Sequence, residues 1–138
     1  RNQIVELNGA DSTLLTSLQG IGPAFARRIL KYRQRLGGFV KSEQLLEVYG
    51  MDSARYQLIR NRVVVDTSLV VKININKASF KEILRHPYFE YYIVKAICNE
   101  REKRHGFDQK TDLLSVKLIY HELYLKIEPY ICTSDLSR

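Results

Sequence analysis

Apolar residues recur along the chain in short bursts at helical spacing, each burst ended by glycine or opened by a polar cap. Leu14, Leu15 and Leu18 fall at i, i+1 and i+4 and predict a helix from Asp11 to about Leu18 with one buried stripe. Gly20-Ile21-Gly22 ends that pattern. Pro23, favoured at a first helical position, opens a second helix whose apolar face is Phe25, Ile29, Tyr32 and Leu36. Gly37-Gly38 stops it. Ser42 predicts the N-cap of a third short helix carrying Leu45, Leu46 and Val48; Gly50 breaks the chain again, and Asp52 caps a fourth helix through Tyr56 and Ile59.

The same plan returns after 68 residues. Displaced by that amount, the sequence aligns with itself without a gap from Val5 and Ile73 to Val63 and Ile131, with about eleven identical pairs. Asn8 meets Asn76, Arg33 meets Arg101, Gly38-Phe39 meets Gly106-Phe107, and Ile29 and Ile59 meet Ile97 and Ile127. In the second copy Ser79 and Glu82 form a capping-box pattern, and Ile93, Ile97 and Cys98 lie on the second helix. The expectation is an all-α chain of two tandem helix-hairpin-helix repeats, residues 1–66 and 67–138, each of four short helices. Between them Val63 to Val71 is β-branched and apolar, which predicts a short extended connection instead of a flexible linker.

Composition narrows the partners. The chain has 138 residues, 45% apolar and 27% charged, enough for an ordinary core. Its 22 Lys and Arg outnumber its 15 Asp and Glu, a net charge of +7 that favours polyanions. Charge does not separate the repeats: residues 1–68 carry 10 basic and 6 acidic side chains, and residues 69–138 carry 12 and 9. Cys98 and Cys132 lie too far apart for a CxxC site, and His86, His105 and His121 lack ligand spacing, so neither a metal nor another cofactor is expected. No apolar run approaches the ~20 residues that cross a bilayer. The start at Arg1 in place of Met is expected of a trimmed or processed product, with room upstream for a signal or an anchor.

The sharpest chemical feature is the Gly20-Ile21-Gly22 turn followed by Pro23 and Ala24. Two glycines around an aliphatic plug permit a tight turn and let main-chain N–H groups approach an anionic oxygen. Those donors open a helix, where the peptide dipoles add partial positive charge. Arg27, Lys31 and Arg35 follow at i, i+4 and i+8, with Arg28 adjacent, as a basic stripe beside the apolar one. Such a hairpin can grip a phosphate and reads no base; the alternative reading is a protein-interaction or scaffold module in which Gly20 and Gly22 only close the hairpin and the fold is retained for structure.

Asn8-x-Ala10, Leu15, Leu18, the Gly20-Ile21-Gly22 hairpin, Pro23, Ala26, Lys31-Tyr32-Arg33, Gly38-Phe39 and Leu45 through Gly50 together resemble the helix-hairpin-helix region of the ComEA competence family. The resemblance covers repeat one and, more weakly, repeat two. It implies sequence-independent binding of double-stranded DNA outside the cytoplasm during DNA uptake; a cytoplasmic location is the alternative without it. It also implies that Gly20, Ile21, Gly22 and Ala24 form the phosphate clamp and that Arg27 and Lys31, with Arg28 and Arg35 beside them, reinforce it.

The remaining turns depart from this pattern. They read Gly50-Met51-Asp52, Tyr88-Phe89-Glu90 and Leu118-Ile119-Tyr120, so one clamp of four is expected to be intact. Lys95 and Lys103 replace Arg27 and Arg35, and Asn99 replaces Lys31. His86 to Phe89, with Tyr91 and Tyr92, read first as core filling where the turn is rebuilt, then as a surface for a protein partner of the second repeat, then as a stacking surface for nucleic acid. Glu100 with Glu102, and Asp108 with Asp112, read as solvated charges near helix ends. No nucleophile motif, zinc signature or phosphate-binding P-loop is present, so neither catalysis nor a small-molecule substrate is expected.

Overall fold

The computed structural model describes residues 3–135. The chain divides into two compact units, Arg1–Val70 and Val71–Arg138. The first reaches past Asp66 because the chain there turns back on its own unit. The Glu6 carboxylate accepts from the Asp66 amide at 2.8 Å, the Asp66 side chain caps a single 3-10 turn at Thr67–Leu69, and Val70 lies against Gly38.

In the first unit strand β1 (Val5–Glu6) leads to helix α1 (Ser12–Thr16) and the long helix α2 (Pro23–Leu36). A 3-10 segment at Ser42–Glu47, helix α3 (Ser53–Ile59) and strand β2 (Val63–Val64) follow. The second unit repeats the order with β3 (Ile73–Asn74), α4 (Phe80–Leu84), α5 (Tyr91–Arg104), a 3-10 segment at Lys110–Ser115, α6 (His121–Ile127) and β4 (Ile131–Cys132).

The molecule is mostly helical, but the expectation of four helices per repeat is corrected at two points. The third helix of each repeat is a 3-10 segment. Gln44 is buried, and its side-chain oxygen accepts from the amides of Val40 and Lys41 at 2.7 and 3.2 Å, which holds the start of the segment. Asp112 does the same for Asp108 and Gln109 at 2.8 and 3.1 Å. Asp112 is therefore a local amide acceptor, not the solvated charge read from sequence. Secondly, Val63–Val64 is not a connector. It pairs in parallel with Val5–Glu6, as Ile131–Cys132 pairs with Ile73–Asn74, so the first and last residues of each repeat close it on itself. A parallel pair needs a long crossover, and the whole helical repeat supplies it.

The residues repeated at 68 positions hold this closure. Asn8 donates to the Phe39 carbonyl at 2.9 Å and accepts from the Phe39 amide at 2.7 Å; Asn76 treats Phe107 identically, at 2.8 Å each way. Arg33 donates to the carbonyls of Leu7 and Ala10, and Arg101 to those of Ile75 and Ala78, at 2.9 and 2.7 Å in both units. These guanidinium groups tie the long helix to the end of the first strand. Gly38 and Gly106 have φ of 130° and 106°, and each packs against the asparagine oxygen.

Leu15, Ile29, Leu36, Phe39, Leu45 and Ile59 build the core of the first unit. Leu14 and Leu46, placed on buried faces from sequence, are exposed, because segments this short bury one stripe only. In the second unit the core contains Ile83, Phe89, Ile93, Val94, Ile97 and Ile127.

Candidate nucleic-acid interface

A second, finer symmetry lies inside each unit, at an offset of 30 residues. Leu15, Leu18, Ile21 and Ile29 correspond to Leu45, Val48, Met51 and Ile59, and all eight are buried. The turns share their hydrogen bonds. Ile21 donates to the Leu18 carbonyl at 3.1 Å and Met51 to Val48 at 2.9 Å, while Ala26 donates to Gly22 and Tyr56 to Asp52 at 2.9 and 3.0 Å. Gly20 and Gly50 adopt φ of 83° and 85°. The two turns of the first unit are thus copies of one device, and each glycine faces the opposite helix. Gly20 is covered by Leu58 and Arg55 of α3, and Gly50 by Phe25 and Arg28 of α2.

The copies differ in what they leave open. At the first turn Gly22 caps α2 without a side-chain bond, its φ is −95°, and a Cβ there would meet nothing within 4 Å. Pro23 has no N–H to offer. Among the described residues nothing accepts from the amides of Gly22, Ala24 or Phe25, so these donors point outward at the positive end of a 14-residue helix. At the second turn Asp52 occupies the equivalent of Gly22, and its carboxylate accepts the Arg55 amide at 2.8 Å. An internal acid fills the place an incoming anion would take.

The predicted site residues separate accordingly. Gly20, Gly22 and Ala24 are exposed together at the start of α2. Ile21 is only 4% exposed and its amide is bonded within the turn, so it plugs the core beneath the turn and offers no donor of its own. Arg27 and Lys31 lie on the exposed side of α2, and no described carboxylate pairs with either. Together with Ala24 and Gln34 they line a shallow groove that begins at the turn. Arg35 lies exposed in the last turn of α2. Arg28 lines the same groove and is also tied to the second turn. It donates to the Tyr49 carbonyl at 3.2 Å, and its guanidinium lies 5.0 Å from the Phe25 ring and 5.1 Å from the Tyr49 ring. Arg55, absent from the sequence reading, covers the other end at 4.2 Å from the Phe25 ring. The signal for Tyr49 and Arg55 was the weak 30-residue echo of Leu15, Gly20, Ala24 and Ile29 in Leu45, Gly50, Ala54 and Ile59.

The second unit keeps the scaffold of both turns without their glycines. Phe89 donates to His86 and Ile119 to Val116, each at 3.1 Å, as at the other two turns. Glu90 stands at the cap of α5, and a hydrogen bond to its carboxylate, with the charge itself, holds the Tyr92 phenol above its ordinary pKa. His86 and Phe89 are buried edge to face, with Tyr130 against His86, whereas Tyr91 and Tyr92 remain exposed, so the aromatic cluster divides between core and surface. Leu118, at the place of Gly50, keeps φ of 77° without being glycine.

Among the described residues no group of three or more His, Cys, Asp or Glu is arranged to hold a metal ion, and no helix is long and apolar enough to cross a membrane. Residues 1–64 and 69–132 each match the family model described as the helix-hairpin-helix motif. An uncharacterized protein of Haemophilus influenzae is 42% identical over 53 residues, 38% of this chain. The chain spans about half, 47%, of that relative's length. No solved structure matches the chain.

Proposed function

The chain belongs to the helix-hairpin-helix family in both of its halves, and on that premise we propose that it binds double-stranded DNA without sequence preference, as a binding module without catalysis. Motifs of this family generally bind nucleic acid. The finer reading rests on one observation: the turn at Gly20 to Gly22 presents outward amides at the start of α2, with unpaired Arg27 and Lys31 along the same groove. Amides at a helix start complement a phosphate oxygen, and the two cations neutralise its neighbours. Base edges play no part in such a contact, so sequence preference is not expected. Within the same proposal, the resemblance of the first repeat to the ComEA region supports a role in DNA uptake, which loss of transformation in a deletion strain would test.

Gly22→Glu tests the grip. Its φ is negative and the space around it is open, so a glutamate fits the fold, and its carboxylate is compatible with a helix start. Titrated with random-sequence duplex at several salt concentrations, the variant is expected to lose roughly tenfold or more in affinity, the worth of one charge-assisted hydrogen bond or two. Equal binding by both proteins would assign the affinity to diffuse charge and reject the clamp.

A further inference from the structure

We infer that Tyr49, backed by Arg28, is a stacking platform for an unpaired base of the strand held at the first turn. DNA with an overhang or a gap is then bound more tightly than continuous duplex. The inference rests on the backbone grip proposed above and adds a substrate preference to it.

Tyr49 is 82% exposed at the apex of the second turn, and no aromatic ring among the described residues stacks on it. A tyrosine left in solvent is ordinarily mobile, but this one is held at two points by one side chain. The Arg28 guanidinium donates to the Tyr49 carbonyl and lies against the Tyr49 ring. Arg28 is in turn braced by Phe25, and Phe25 by Arg55. The four side chains form a ladder of alternating rings and cations from the apex of the second turn to the first turn of α2. Cation–aromatic contacts of this kind fix ring orientation and leave the outer π-face available.

The ladder also sets the distance. Gly22 and Arg28 are six residues apart on α2, about 9 Å along the helix axis at 1.5 Å per residue. A strand whose phosphate rests on the amides of Gly22 and Ala24 therefore brings its adjoining nucleotides within reach of Tyr49. In continuous duplex the faces of those bases are covered by their neighbours, and the platform gains nothing. Where a base is unpaired, its face is available, and stacking on an aromatic ring is tolerant of base identity. The second turn cannot hold the opposite strand in the same way, because Asp52 fills its anion position. The second unit has Lys117 and Ala96 at the places of Tyr49 and Arg28, so the platform is particular to the first.

The test compares wild type, Tyr49→Ala, Tyr49→Phe and Gly22→Glu on two DNAs of one sequence, a blunt duplex and the same duplex with a short overhang containing 2-aminopurine. Wild type is expected to prefer the overhang and to quench its fluorescence. Tyr49→Ala should lose about 5- to 100-fold on the overhang, within the range of one stacked base, and less than twofold on the blunt duplex. Tyr49→Phe should restore both preference and quenching. Equal affinity of wild type for the two DNAs, or an equal effect of Tyr49→Ala on both, overturns the platform and leaves the grip standing. Gly22→Glu should weaken both DNAs together; if it weakens neither, the grip fails, and the inference built on it fails too.

Discussion

Leu118 occupies the turn position where the first unit places Gly50, with φ of 77° against 85°. A leucine in this region suffers a clash between its Cβ and the backbone, so the residue is strained in the fold it serves. It is partly exposed, so little burial is lost on trimming it. Leu118→Gly is therefore expected to stabilise the second unit by about 0.5–1 kcal/mol, the relief of strain offset by the greater freedom of an unfolded glycine. Chemical denaturation followed by fluorescence of the tyrosines measures this, and a loss of stability would show that the leucine side chain contributes more by packing than its backbone costs. The candidate turn was legible at this scale because its geometry is local. Gly20, Gly22 and Ala24 are where the sequence places them, because a positive φ and a proline-started helix are properties of a few adjacent residues. Arg28 was not, because nothing local distinguishes it from Arg27.

At the scale of an element, the two 3-10 segments show one backbone task performed by different chemistry. Gln44 and Asp112 each accept two amides from the residues just before the segment, but only Asp112 titrates. The Gln109 amide, then the Asp108 amide and Arg104, hold its carboxyl below the ordinary range against the opposing effect of burial. A carboxyl depressed in the fold contributes stability that is present above its unfolded pKa and is lost as pH falls through the folded one. The window for Asp112 accordingly lies below about pH 4. Amide resonances of Asp108 and Gln109 are expected to titrate together with a midpoint below the ordinary ~3.9, to lose that step in Asp112→Asn, and to have no counterpart in Val40 and Lys41. A midpoint at or above the ordinary value would contradict the assigned bonds. The identity of Asn8 with Asn76 and of Arg33 with Arg101 was visible in the sequence, but its meaning was not. These pairs recur because each closes a repeat through main-chain carbonyls, and hydrogen bonds across 23 to 31 residues leave no periodicity to read.

For the whole molecule, positive charge is shared by both halves, while a turn with glycine on both sides of its aliphatic plug is found once among the four. Binding is then expected to be modest in strength and steep in salt, because few phosphates are engaged and each contact releases counterions. Lys31→Gln should reduce the slope of log affinity against log salt by about 1 on any duplex sequence, whereas Lys95→Gln in the second unit should leave it unchanged. Equal slopes for both variants would spread the contact over the whole surface. The sequence by itself determined the duplicated helical plan, the places where turns and caps fall, and the survival of one glycine hairpin. Apolar period, glycine, proline and capping residues act over a few neighbours, and a short window contains them. Only the tertiary structure decided that the repeat ends close through parallel strands, and that Arg28 and Arg33 donate to main-chain carbonyls while Arg27 and Lys31 line the groove without an acidic partner. It also brought Tyr49 against Arg28, and Arg55 against Phe25 and Gly20. Those outcomes depend on which side of a helix meets which turn 20 to 30 residues away, and that is settled by packing, not by the order of residues along either one.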